Sequence, residues 1–156
     1  MAIPVNTKAP AFTLKLRTAD GFTDVSLSDH LGKKKTVLLF FPAAFSSICE
    51  DELCSVTGGL DQYAELDAVV YGISTDLPFA LEAFQRTAGI GFPLLSDYNR
   101  EVCQAYDVLS DDFIGYRGVA KRSAFVIDVD GTILFSSSSD DARQLPDFDQ
   151  VKAALR

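Results

Sequence analysis

The chain has 156 residues, 47% of them hydrophobic and 23% charged, with 14 Lys+Arg against 22 Asp+Glu and a formal net charge of −8. This is apolar material for one core, so residues 1–156 are expected to form one domain, and intrinsic disorder is excluded. The negative balance argues against a nucleic-acid partner, and the strongest apolar run, 37–45 with Pro42 inside it, is too short for a membrane span. Residues 1–8 lack the charged-then-apolar order of a signal peptide, so the cytoplasm is the expected compartment.

In chain order, residues 12–16 and 22–27 alternate around Ala19-Asp20-Gly21 and predict a hairpin. Residues 36–41 are continuously apolar and predict a strand buried on both faces. A helix is expected over 47–66, broken or bent at Gly58-Gly59. A buried strand at 68–74 and a helix at 78–88, with Pro78 in its first turn, come next. A short strand at 92–95 and a short helix at 100–106 follow. Strands at 123–128 and 132–135 flank the turn signal Asp130-Gly131, and 136–139 read as a polar loop continuing that hairpin. A last helix is expected over 147–155, with Phe148, Val151 and Leu155 at helical spacing. The order describes an α/β fold.

Three cysteines, an odd number, do not suggest a secreted disulfide scaffold. Cys49, Cys54, Cys103 and His30 lack the paired short spacings of a zinc site, and His30 reads as a surface-loop residue. Cys103 reads as core. Cys49 follows the buried strand and falls in the first turn of the next helix, where Ser47-x-x-Glu50 has the form of a capping box. Unpaired backbone N–H groups there favour a thiolate, but Glu50, Asp51 and Glu52 oppose one, so a cation must come from elsewhere in the chain. Cys54, five residues on, lies about 8–9 Å from Cys49 between Cα atoms in an ideal helix, too far for a disulfide unless the helix unwinds. A C-x-x-C pair is absent, and Ser55, Leu60 and Leu109 stand where a cysteine phosphatase would carry its arginine. Spacing alone leaves each of the three cysteines open between chemistry and packing.

Pro42-Ala43-Ala44-Phe45-Ser46-Ser47-Ile48-Cys49 resembles the P-x-x-x-[T/S]-x-x-C active-site pattern of the peroxiredoxins. The resemblance extends to Ala9-Pro10-Ala11-Phe12, to Phe92-Pro93-Leu94-Leu95-Ser96-Asp97 and to Arg122-Ser123-Ala124-Phe125-Val126-Ile127-Asp128. It implies a thioredoxin-like fold with a central mixed sheet flanked by helices and an N-terminal hairpin extension. It implies peroxide reduction by Cys49 without a metal or cofactor, the thiolate becoming a sulfenic acid. Arg122, and not Arg117, would be the missing cation, with Glu52 orienting it, Ser46 donating to the peroxide and Pro42 shielding the sulfur. Ser46 replaces the commoner threonine, keeping the hydroxyl but losing the methyl that restricts χ1.

Cys54 matches the resolving position of the Q-type, bacterioferritin-comigratory group, whose internal disulfide a thioredoxin- or glutaredoxin-like protein would reduce. Phe40-Phe41-Pro42, Ala44-Phe45, Ile48-Cys49 and Glu52-Leu53 look more like the E-type alkyl hydroperoxide reductases, in which one cysteine can suffice. Related proteins imply a monomer or a homodimer. Two rival readings are a thioredoxin-like redox sensor without turnover and a haloacid-dehalogenase-type phosphatase built on Asp128-Val129-Asp130-Gly131-Thr132. Residues 133–156 are too few for the remaining parts of that phosphatase fold, and a hairpin turn explains the same letters.

Overall fold

The computed structural model describes residues 2–156. The N-terminal hairpin forms as β1 (Thr13–Thr18) and β2 (Gly21–Ser26), and Gly21 takes the positive φ, +118°, that the turn requires. A 3₁₀ turn over Leu27–Asp29 leads toward β3 (Lys35–Phe40). His30, expected on a surface loop, is half-buried there, with Nε2 at 2.7 Å from the Tyr71 hydroxyl. The expected 47–66 helix is two, α1 (Ser47–Gly58) and α2 (Leu60–Glu65), interrupted at Gly59, where the helix-disfavouring pair sits.

β4 (Ala68–Ser74) and α3 (Pro78–Ala88) stand as predicted, and α3 ends on Gly89 in the left-handed conformation. The next strand, β5 (Leu94–Ser96), starts two residues later than expected because Phe92 serves as core before pairing begins. α4 (Glu101–Ala105), β6 (Arg122–Ile127), β7 (Ile133–Ser139) and α5 (Phe148–Leu155) complete the chain.

The expectation of a polar loop at 136–139 is corrected. These serines belong to β7, pairing with Arg122–Phe125, and the Ser123 hydroxyl meets that of Ser138 at 2.9 Å. Backbone pairing with β6 and these hydroxyl contacts outweigh the weak strand preference of serine.

The strands form one mixed sheet in the order β2-β1-β5-β4-β3-β6-β7. The three central strands β5, β4 and β3 are parallel, and the outer pairs are antiparallel. β3 is buried on both sides, as its apolar run requires. Val37 and Leu39 join α1, α2, α3 and α5 in one core, while Leu38 and Phe40 face Phe12, Tyr106 and Phe125 in the other. Cys49 belongs to the first core and Cys103 to the second, as expected for a structural Cys103. The Asp128–Thr132 letters make a hairpin turn: Gly131 has φ +88° and donates to Asp128 O at 2.9 Å. Among the described residues no helix is long and apolar enough to cross a membrane.

Candidate active site

Pro42 stops β3, and the chain then crosses to α1 through 43–46. Two contacts shape this crossing. The Ala44 N–H donates to Asp76 Oδ2 at 2.8 Å, and the same oxygen accepts the Ser74 hydroxyl at 2.7 Å, tying the loop to the end of β4. Phe45 adopts φ +66°, uncommon for a bulky residue, with its ring 5.1 Å from that of Phe84 on α3. The turn delivers Ser46 as the N-cap of α1. Its hydroxyl accepts from Cys49 N at 3.4 Å and its carbonyl accepts from Glu50 N at 2.9 Å. The expected capping box starting at Ser47 therefore does not form: Ser47 is already helical, and the residue three past the true cap is Cys49, not a glutamate.

Cys49, fully buried, sits in this first turn, and Arg122 reaches it from the sheet. The antiparallel register of β3 and β6 places Phe40 opposite Ser123, so the first residue of β6, Arg122, lies against the end of β3. Its guanidinium uses three nitrogens on three partners. Nη2 donates to Cys49 Sγ at 3.1 Å, Nη1 to Glu52 Oε1 at 2.7 Å and Nε to the Ala142 carbonyl at 2.7 Å. A charged donor 3.1 Å from sulfur stabilises negative charge there, supplying the cation that the acidic run after Cys49 calls for.

Glu52 is buried, not a helix-surface charge, and its side chain and that of Arg122 are 0% and 1% exposed. Its other oxygen, Oε2, is buried without a hydrogen-bond partner. Burial raises this carboxyl to about 7 against the lowering influence of Arg122. Arg117 is exposed, which settles the choice between the two arginines.

Pro42 is buried and lines a small crevice with Arg122 and Ala142. A larger cleft of about 850 Å³ opens over Arg122 and Ser46, Ser47 and Ile48. Cys49, Arg122, Glu52, Ser46 and Pro42 thus converge on one place.

Cys54 stands apart. It lies in the same uninterrupted helix, half-buried, with Sγ donating to Ala88 O at 3.4 Å, and all three cysteines are free thiols. Burial first, and then Glu50 and Asp51, raise the Cys54 thiol above its ordinary range. The sequence gives no sign of Asp76 or the Ala142 carbonyl as parts of this architecture. Both act through backbone groups that only the folded chain brings near.

Comparison with known proteins agrees with this geometry. Residues 5–136 match the AhpC/TSA family. The chain is 35% identical over 144 residues to the 2-cysteine peroxiredoxin, chloroplastic, of Chattonella marina var. antiqua, covering 88% of this chain and 71% of that protein. Mycobacterium tuberculosis AhpC superposes with a TM-score of 0.85 at 28% identity, covering 99% of this chain and 92% of the other. Peroxidoxin BcpB from the same organism superposes with a TM-score of 0.81 at 31% identity, covering 97% and 95%. With this match running from the N-terminal segment through β6 and into β7, the chain belongs to the AhpC/TSA family and is a peroxiredoxin of thioredoxin-like fold, a thiol-dependent peroxidase.

Proposed function

We propose that Cys49 is the peroxide-reducing residue of this enzyme, acting on hydrogen peroxide and organic hydroperoxides. The observation that carries the assignment is the Arg122 guanidinium shared between Cys49 Sγ and Glu52. The thiolate attacks one peroxide oxygen, the O–O bond breaks, and the leaving hydroxide or alkoxide takes a proton to become water or an alcohol. Sulfur is oxidised to the sulfenic acid and the peroxide is reduced by two electrons. Arg122 stabilises charge on sulfur and on the departing oxygen, the Ser46 hydroxyl donates to the peroxide, and Pro42 excludes water from the sulfur. Glu52 holds the guanidinium in place and is a positioning residue.

Cys54 completes the cycle in this reading. Its thiol attacks the Cys49 sulfenic sulfur, forms the disulfide and releases water, and a thioredoxin- or glutaredoxin-like protein returns two electrons. In a continuous helix the two Cα atoms are about 8–9 Å apart, beyond disulfide reach, so the N-terminal turns of α1 must unwind first. The C-x4-C spacing supports a Q-type cycle over a one-cysteine E-type cycle. Three free thiols suit a reducing compartment such as the cytoplasm. The exposed Phe45 and Leu77 favour a homodimer.

Reductant-coupled peroxide consumption by the wild type, Cys49→Ser and Cys54→Ser tests the assignment. Turnover that vanishes in Cys49→Ser supports it, and full activity in that variant overturns it. Stoichiometric oxidation without cycling favours the redox-sensor reading. One equivalent of peroxide should lower the free-thiol count from three to one. A count of two, with a sulfenic-acid adduct on Cys49, refutes the Cys54 step.

A further inference from the structure

The cleft above Arg122 is much larger than the smallest peroxide needs. It measures about 850 Å³, whereas hydrogen peroxide is only somewhat larger than water, whose share of liquid volume is about 30 Å³. Its apolar lining comes from Ile48, Phe113, Ile114 and Ala142. Ile114 is the informative residue. The Phe113 N–H donates to Tyr116 O at 2.7 Å and the Tyr116 N–H to Phe113 O at 2.9 Å, closing a two-residue turn over Ile114 and Gly115. Both central residues have positive φ, +49° and +91°. Such turns favour Asn-Gly, and a β-branched residue in the left-handed region is a steric outlier. Ile114 is also 81% exposed, so its side chain gives the fold little burial in return. A residue strained and exposed at once on the wall of a catalytic cleft points to a ligand contact.

The charged lining is also informative. Arg122 is engaged by Cys49, Glu52 and Ala142, and Arg143 by Asp141 at 3.1 Å. Asp140 pairs with Lys121 at 2.7 Å, and Asp112 accepts the Gly115 N–H at 2.8 Å. Every cation lining the cleft is already committed, while Asp112, Asp140 and Asp141 all border it. An anionic substrate tail would meet carboxylates and find no available counter-ion.

We infer that this cleft seats the uncharged apolar substituent of an alkyl or aryl hydroperoxide, with Ile114 as a specificity-determining residue and Asp112 and Asp141 disfavouring anionic hydroperoxides. The inference rests on the proposed peroxidase role of Cys49. The reaction is the step already written, with the alkoxide as leaving group and the substituent held by Ile48, Phe113 and Ile114.

The test compares kcat/KM for cumene hydroperoxide, hydrogen peroxide, linoleic acid hydroperoxide and its methyl ester in the wild type, Ile114→Asn and the double variant Asp112→Asn/Asp141→Asn. Asparagine tolerates the left-handed conformation, so the turn survives while the apolar contact is lost. The ratio of cumene hydroperoxide to hydrogen peroxide should fall about tenfold in Ile114→Asn, with the loss in KM. The wild type should prefer the ester to the acid by about fivefold, the size of one exposed charge contact, and this preference should shrink with salt and in the double variant. A ratio unchanged within twofold in Ile114→Asn, or an equal rate with acid and ester, overturns the inference. If Ile114→Asn alters the sedimentation of the protein and leaves the ratio alone, the tip is a self-association surface and the inference fails. Absence of hydrogen peroxide turnover in the wild type would instead count against the parent assignment of Cys49.

Discussion

Glu52 makes a specific claim about stability against pH. Its carboxyl lies at the boundary between the first core and the Arg122 guanidinium, with Oε1 accepting at 2.7 Å and Oε2 buried without a partner. Burial outweighs the guanidinium and lifts the group from its ordinary 4.5 to about 7. Between those two values the folded protein holds a proton that the unfolded chain has released. The contribution to stability is therefore complete below pH 4.5 and is lost as pH rises through about 7. At 1.36 kcal/mol per pKa unit the shift corresponds to about 3 kcal/mol as an upper bound.

Glu52→Gln keeps the volume and an acceptor for Arg122 Nη1 but cannot ionise. Urea unfolding of the reduced protein from pH 4.5 to pH 8 should therefore show wild-type stability falling relative to the variant by up to about 3 kcal/mol. A Cys49→Ser background on both proteins keeps the sulfur's own titration out of the comparison. A difference that stays flat across this range, or that moves in favour of the wild type as pH rises, refutes the reasoning. It would mean that the ion pair with Arg122 dominates over burial.

Three further outcomes are expected. Arg122→Lys keeps a cation but loses the planar fork that serves Cys49, Glu52 and Ala142 together, so kcat/KM for hydrogen peroxide should fall by about 10²-fold or more in steady-state assays. Asp76→Ala releases the Ala44 N–H and the Ser74 hydroxyl, which should cost about 1–3 kcal/mol in denaturant unfolding and lower peroxidase activity severalfold by loosening the loop before Cys49. Cys103 is buried, and burial together with the Asp97 carboxylate pushes its thiol well above the ordinary range. It should therefore resist alkylation in the native protein, react on unfolding, and lag far behind Cys54 when modified peptides are quantified by mass spectrometry.

Alternation and turn chemistry carried much of the architecture. The unbroken apolar run ahead of Pro42 requires a strand covered on both faces, and β3 is one. The Asp130-Gly131 and Ala19-Asp20-Gly21 turns likewise lie where their local chemistry places them. Boundaries that depend on partners were less legible. The serines of β7 carry no strand signal of their own and become strand because β6 offers them a ladder. Phe92 looks like strand but serves as core ahead of β5.

The sequence by itself determined that Cys49 would follow a buried strand at the start of a helix, since Pro42 must end β3 and Ser46 can cap α1. The acidic residues after it already demanded a distant cation, and the family pattern pointed to Arg122. Only the tertiary structure decided how that demand is met. Glu52 lies three residues from the sulfur along α1 yet is turned inward, and Arg122 arrives through the β3–β6 register to lie between the two. Asp76, the Ala142 carbonyl and the strained Ile114 turn join the site through backbone positions far apart in the chain. Local propensity acts over a few residues, whereas a charge network is set by which strands lie side by side, and so only the folded chain could specify it.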